Sequence, residues 1–263
     1  MLLKRIPVLL LCLWSLSLSA QDWNKKKCAV VLTYDDALHV HLNNVVPALD
    51  SLKLKGTFFL TAAAPAFAKR LPEWKKVAAK HELANHTLFH PCEGNRPGRE
   101  FVTEDYNLAT YSVRRIMDEI KMTNTALEAL DGKKERTFAY PCGDTKAGGV
   151  SYLEGLQNDF VAARGVQTEM VSLQTPTNLH LIGCYGVNGQ TGDELIALVK
   201  QAMETNRMIV FLFHGVGGEH GLNVSLEAHR QLLQYLKQHE KDIWNPTFLE
   251  AAQYVKAKGT AKK

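Results

Sequence analysis

The sequence predicts an α/β fold, a single domain built as a barrel of about seven parallel strands. Three observations predict it. Strand-like and helix-like segments alternate, with no repeat, low-complexity stretch or Pro/Ser linker between them, and such alternation implies parallel strands joined by right-handed crossovers. The 263 residues, 46% of them hydrophobic, supply core enough for one large domain. Residues with reactive side chains fall directly after strands, where the carboxyl ends of a parallel sheet share one face.

The elements follow in order. Ala29 to Leu32 is a short apolar run bounded by polar residues, a buried strand. Leu42, Val45, Val46, Leu49 and Leu52 recur at helical spacing. Gly56 opens a second strand, Thr57 to Leu60, and a helix around Glu73 to Lys80 leads to a third, Glu82 to Asn85. Thr103 reads as the N-cap of a long helix to Leu130, closed by Asp131-Gly132. Arg136 to Tyr140, Phe160 to Ala163 and Leu179 to Tyr185 are the fourth, fifth and sixth strands. Thr191-x-x-Glu194 is a capping box opening a helix, and Met208 to Phe213 is the seventh strand. A helix runs from Ser225 to about Gln238, and Thr247-x-x-Glu250 boxes the last one.

Residues 1–20 read as a secretory signal peptide: Lys4 and Arg5, then the apolar Ile6 to Leu18, then small residues with a cut near Ser19 or Ala20. The mature domain is then 21–263, secreted or periplasmic, with no further apolar segment long enough to span a membrane. Four cysteines remain in it, Cys28, Cys92, Cys142 and Cys184, with three pairings open. The net charge of +4 is scattered apart from Lys25–Lys27 and a Lys-rich tail, which excludes a nucleic-acid footprint.

Asp35 and Asp36 stand side by side where the first strand runs out. Aspartate is depleted in strands and neighbouring like charges repel, so the pair needs a reason beyond helix capping. His86 and His90, four apart, share one face of a helical turn and offer two imidazoles to a divalent metal. His81-Glu82 begins like the zinc-protease pattern H-E-x-x-H, but the next His falls one residue too late. One carboxylate from the Asp pair completes a two-His, one-acid metal set. The other stays free as a general base, and the metal's charge offsets the repulsion between them. Two His and one carboxylate also describe an iron oxygenase, which leaves the second Asp and His214 without a role.

"TYDDA", "NHTLFH", "AYPCG" and "LFH" resemble the first, second, third and fifth motifs of the polysaccharide deacetylases, carbohydrate esterase family four, the nodulation-type deacetylase homology domain. They stand in the right order over nearly the whole mature chain. The resemblance implies a distorted (β/α) barrel with about seven strands. It also implies Asp35 as catalytic base, Asp36, His86 and His90 as metal ligands and His214 as general acid. The backbone N–H of Cys142 becomes part of an oxyanion hole. The metal expected is Zn2+, with Co2+ or Ni2+ suited to the same ligands. The substrate expected is an acetylated oligo- or polysaccharide, either N-acetylglucosamine polymers or acetylated xylan-type chains. Two departures stand out. Ala139 occupies the position where the third motif begins with an Arg that pairs with the base, and Arg164, at the end of "FVAAR", is placed to reach the same spot. The fourth motif has no counterpart in "LIGCYGVNG", while Asp242-Ile243-Trp244 spells something similar after His214. These departures keep a catalytically degenerate, carbohydrate-binding family member as the alternative.

Overall fold

Strand β1 (Cys28–Asp35) is buried over its whole length, the mark of a strand covered on both faces. The computed structural model describes residues 23–94 and 96–260, so the leader read in 1–20 lies outside it. β1 runs past the expected Leu32 because the next residues are also held inside. The Thr33 hydroxyl donates to the Phe211 carbonyl at 2.6 Å, and the Tyr34 ring stacks on Phe58 and Phe213. The strands that follow are β2 (Thr57–Leu60), β3 (Glu82–Asn85), β4 (Thr137–Ala139), β5 (Ala162–Arg164), β6 (Tyr185–Gly186) and β7 (Met208–Phe213). They pair in parallel in the order β5-β4-β3-β2-β1-β7-β6. An eighth strand, β8 (Ile243–Trp244), pairs with Cys28 and Ala29 at the amino end of β1. The residues that only echoed a motif in the sequence are thus a structural strand.

The sheet curls into an incomplete barrel. β5 and β1 stand four positions apart, which in a flat sheet is ~19 Å. Yet the Arg164 side chain on β5 bonds directly to Asp35 on β1, so the two strands face each other across the interior. An isolated parallel bridge from Arg164 to Ile182, just before β6, narrows the remaining gap.

Alternation along β1 sorts two cores. Val30, Leu32 and Tyr34 join the layer beneath the outer helices: α1 (Val46–Leu52), α2 (Pro65–Lys69), α3 (Leu71–Val77), α6 (Gly192–Glu204) and α7 (Leu226–Gln238). Helices α4 (Val113–Asp131) and α5 (Leu153–Leu156) cover the β4–β5 side. Ala29 and Val31 point the other way, and pack with Phe59, Ala84, Ala139 and the last helix, α8 (Phe248–Thr260). Asp35 continues that inward series, at the carboxyl end of the barrel.

Several boundaries differ from the sequence reading, each for a local reason. The long helix starts at Ser112, whose hydroxyl accepts from Arg115 N–H, and not at Thr103. In between, the Asn107 side chain accepts from Ala109 N–H and diverts the chain into a 3-10 turn. Leu179–Leu181 is a 3-10 turn and not strand, because the Asn178 side chain accepts from His180 N–H. Such side-chain acceptors compete with the regular backbone ladder. β5 starts at Ala162 and not at Phe160, and Arg164 ends it, as the sequence places it. Both capping boxes form.

Candidate active site

Asp35 and Asp36 both approach His86, at 3.7 and 3.5 Å from its Nε2, because the backbone turns over between them. Asp36 (φ 78°) and Ala37 (φ 56°) are both left-handed, at a cost of about 1–3 kcal/mol each for non-glycine residues. Asp36 N–H still donates to the Phe59 carbonyl at 3.1 Å. Two side chains that would diverge in a regular strand therefore converge.

His86 and His90 come together without the helical turn the sequence suggests. Residues 86–91 are irregular, with Thr87 at φ 66° and His90 at φ 56°. Asn85 explains the difference: its Oδ1 accepts from Thr87 N–H at 2.8 Å, while its Nδ2 donates to the Ile120 carbonyl and Asn124 Oδ1. Thr87 Oγ1 then accepts from His90 N–H at 2.9 Å. The two rings lie 4.7 Å apart, edge to face. His86 Nδ1 donates to the Ala139 carbonyl at 2.8 Å, which fixes the tautomer and turns the Nε2 lone pair inward. Asp36 Oδ1 lies 3.5 Å from His86 Nε2 and 3.4 Å from His90 Nε2. It is buried, without a hydrogen-bond partner of its own.

The charges are mutually adjusted. Burial opposes ionisation of Asp36, but the His86 contact and the nearby His90 and His214 hold its carboxyl far below the usual range. Burial pushes His90 down to about 4. Burial also opposes charge on His86, yet Asp35 and Asp36 carry it above its ordinary value. Two imidazoles and a carboxylate with an orphaned buried oxygen, all ligand atoms within 4.8 Å of one another, fit a divalent cation.

Arg164 and Ala139 are register partners on adjacent strands. The side chain missing at 139 is thus supplied from the neighbouring strand. Arg164 Nη2 donates to Asp35 Oδ2, and Nη1 to the Gly165 carbonyl. Asp35 Oδ1 is left buried and unpartnered, on a carboxylate whose other oxygen lies 3.7 Å from His86 Nε2.

The Tyr140-Pro141-Cys142-Gly143 turn follows β4 and is tied to the segment that carries His90. Cys142 is left-handed at φ 54°, and a disulfide joins it to Cys92, two residues beyond His90. Arg99 clamps the same turn, donating to the Cys142 carbonyl at 3.1 Å and to Asp144 Oδ2 at 2.8 Å. Gly143 is required, since at φ 73° a Cβ would lie 2.4 Å from Val166 Cγ2. Among the described residues, the two other cysteines, Cys28 and Cys184, are free and buried. The disulfide closes a separation of 50 residues, for which loop-closure entropy gives about 4 kcal/mol. The Cys92→Ser/Cys142→Ser variant is expected to lose about that much in urea unfolding. An unmoved midpoint would assign the hold on this turn to Arg99 and Asp144 alone.

His214 follows β7 and is drawn in with the rest. Its Nε2 lies 3.9 Å from Asp36 Oδ2, and burial lowers its pKa. Two further histidines, not singled out by the sequence, accompany it. His41 is fully buried, and burial pushes it down to about 4. Its Nδ1 accepts from Leu38 N–H, so Nε2 carries the proton and donates to the His214 carbonyl at 2.8 Å. His220 stacks on the His214 ring at 4.6 Å and 12°. Nothing in "HGVGGEHG" signals this, because a glycine-rich loop folds back to create it.

A parallel barrel whose carboxyl end gathers two carboxylates, four imidazoles and a buried guanidinium defines an α/β barrel protein with a candidate metal centre. The chain belongs to the polysaccharide deacetylase family, whose sequence profile matches residues 22–160, more than half of its length. That span holds Asp35, Asp36, His86, His90 and Cys142; Arg164 and His214 lie beyond it. No curated protein matches the chain. Among solved structures, it is similar to a family 4 acetyl xylan esterase from Clostridium thermocellum in complex with a cobalt ion: 18% identity, TM-score 0.56, 87% of this chain and 92% of that one. It is also similar to the Xyl-CE4 domain of a xylanase from the hindgut metagenome of Trinervitermes trinervoides: 17% identity, TM-score 0.54, 88% and 91% covered. A CE4 family pseudoenzyme from Bacillus anthracis shares 20% identity at TM-score 0.52, with 86% and 66% covered. At these identities the likeness shows the fold. Among the described residues, no helix is long and apolar enough to cross a membrane.

Proposed function

We propose that the protein is a metal-dependent deacetylase that removes N- or O-linked acetyl groups from an exported carbohydrate. The catalytic domain is 21–263, released from its leader near Ser19 or Ala20. One observation carries the reading. The buried Asp36 Oδ1 has no hydrogen-bond donor and stands within 3.5 Å of both inward-facing imidazole nitrogens. A buried charge in that position needs a cation.

Asp36, His86 and His90 would hold the metal, zinc first, with cobalt or nickel suited to the same set. A divalent ion there supplies Lewis acidity to the acetyl carbonyl and to the attacking water. Asp35 receives the water's proton at Oδ1, the oxygen that Arg164 leaves free. The N–H of Cys142, on its strained turn, donates to the oxygen that becomes negative as the carbonyl is attacked. His214 protonates the departing amine or alcohol. Phe89 and Tyr106 pair at 5.2 Å beside His90 and are both partly exposed, which offers a sugar ring an apolar face to rest on.

The test is metal content. His86→Ala and His90→Ala are each expected to fall well below one divalent ion per chain by elemental analysis, from a wild type near one. Full occupancy in both variants would overturn the reading.

A further inference from the structure

We propose that His220 is a positioning residue for His214, holding its ring in the proton-donating orientation by face-to-face stacking. The inference rests on reading His214 as the proton donor. The His214 backbone is fixed by His41 at its carbonyl and by the β1–β7 pairing up to Phe213. Its ring is not fixed in that way. Among the described residues it makes no hydrogen bond; Asp36 Oδ2 lies 3.9 Å from its Nε2, and the charge of Asp35 also reaches it. The second torsion of a histidine is broad and roughly two-fold, so an unbonded ring presents its nitrogens in more than one direction. The His220 ring lies 4.6 Å away and within 12° of parallel, which fixes the plane of the His214 ring, while Asp36 Oδ2 on its Nε2 side distinguishes the two flips within that plane.

His220 is itself set in place by an ordered loop. Its Nδ1 accepts from Leu222 N–H at 3.0 Å, and Gly218 N–H donates to Asn223 Oδ1 at 2.8 Å. Gly215–Val216 pairs with Asn223–Val224, which closes the loop at its base. Glu219, left-handed at φ 69°, accepts from His39 and Val40 N–H at 3.0 and 2.7 Å. That contact ties the loop to the residues just after the Asp pair. A backbone route this closely bonded, leading a partly exposed imidazole onto a catalytic-face imidazole, has stacking as its outcome. The Nε2 of His220 meanwhile points toward Asp36 Oδ2, at 3.8 Å. A ring edge as well as a ring face therefore reaches the site.

The experiment compares metal-loaded wild type, His214→Ala, His220→Ala and His220→Phe on two substrates. One is an aryl acetate, whose leaving group needs no proton; the other is an N-acetylated chitooligosaccharide, whose amine does. Metal content and circular dichroism are measured alongside. His220→Ala is expected to lower kcat on the amide about ten- to a hundred-fold, within the loss of His214→Ala and with KM little changed. The aryl acetate rate falls far less in both. His220→Phe keeps a flat ring on His214 and is expected to recover most of the amide rate. A selective loss in His214→Ala with none in His220→Ala overturns the inference alone. So does His220→Phe behaving as His220→Ala, which would assign the effect to the ring nitrogen. Equal losses on both substrates in His214→Ala would overturn the proton-donor reading, and this inference with it.

Discussion

Replacing Asp35 with Asn is expected to lower deacetylation by about 10²- to 10⁴-fold while metal content stays near one ion per chain. The expectation rests on how the two adjacent carboxylates are divided. Asp36 Oδ1 faces both imidazoles. Asp35 Oδ2 is committed to Arg164, and its Oδ1 is free and buried. Asparagine preserves volume and can still accept from Arg164, so the Asp36 site keeps its geometry, although the buried guanidinium loses its counter-charge and stability falls. What it lacks is a carboxylate able to take a proton from water. Asp36→Asn is expected to behave in the opposite way, losing metal first and activity as a consequence. If Asp35→Asn loses the metal and Asp36→Asn keeps it, the two roles are exchanged.

Arg164→Ala is expected to be the most destabilising single substitution at the site. Arg164 is 1% exposed and Asp35 3%, so the variant strands a buried carboxylate. Breaking a buried pair from one side costs about 3–5 kcal/mol, a large share of the roughly 5–15 kcal/mol that holds a domain folded. In a chain of this size that corresponds to a fall in Tm of roughly 10 °C. The β4–β5 register offers a sharper form of the experiment. Ala139 and Arg164 are direct partners, and both lie on the barrel's inner side with Asp35. The double variant Ala139→Arg/Arg164→Ala returns the guanidinium from the adjacent strand, and is expected to regain a substantial part of the stability and of the rate. A double variant no better than Arg164→Ala would show that the position of the charge at 164 matters, and not its presence alone.

Much of this was legible in the sequence where signal and structure are both local. β2, β3 and β7 have the residues expected of them: β2 and β7 are mainly apolar runs, and β3 is a short segment following a helix and the Lys80-His81 pair after it. The helix after Ser225 and the two capping boxes were equally plain. Asp35 and Asp36 announced themselves as charges at a strand's end, and Arg164 did so for the same reason. The His86–His90 pair was legible as a pair but not in its conformation. The Asn85 side chain bends that segment, and a β-branched Thr87 at φ 66° has no sequence signature. The Cys92–Cys142 bridge was illegible because residues 50 apart meet only through the β3–β4 pairing. His220 and His41 reach the site by loop and helix geometry, in patterns that resemble any other histidine. The eighth strand, Ile243–Trp244, is two residues long, below what periodicity can register.

The most direct measurement is acetate released by metal-loaded protein from acetylated xylan and from N-acetylated chitooligosaccharides, before and after a chelator. The account predicts acetate from at least one of these glycans, lost with the chelator and restored on adding zinc, cobalt or nickel. No acetate from either, with one ion bound per chain and glycan binding intact, would contradict it and make the protein a carbohydrate-binding relative that has lost the reaction.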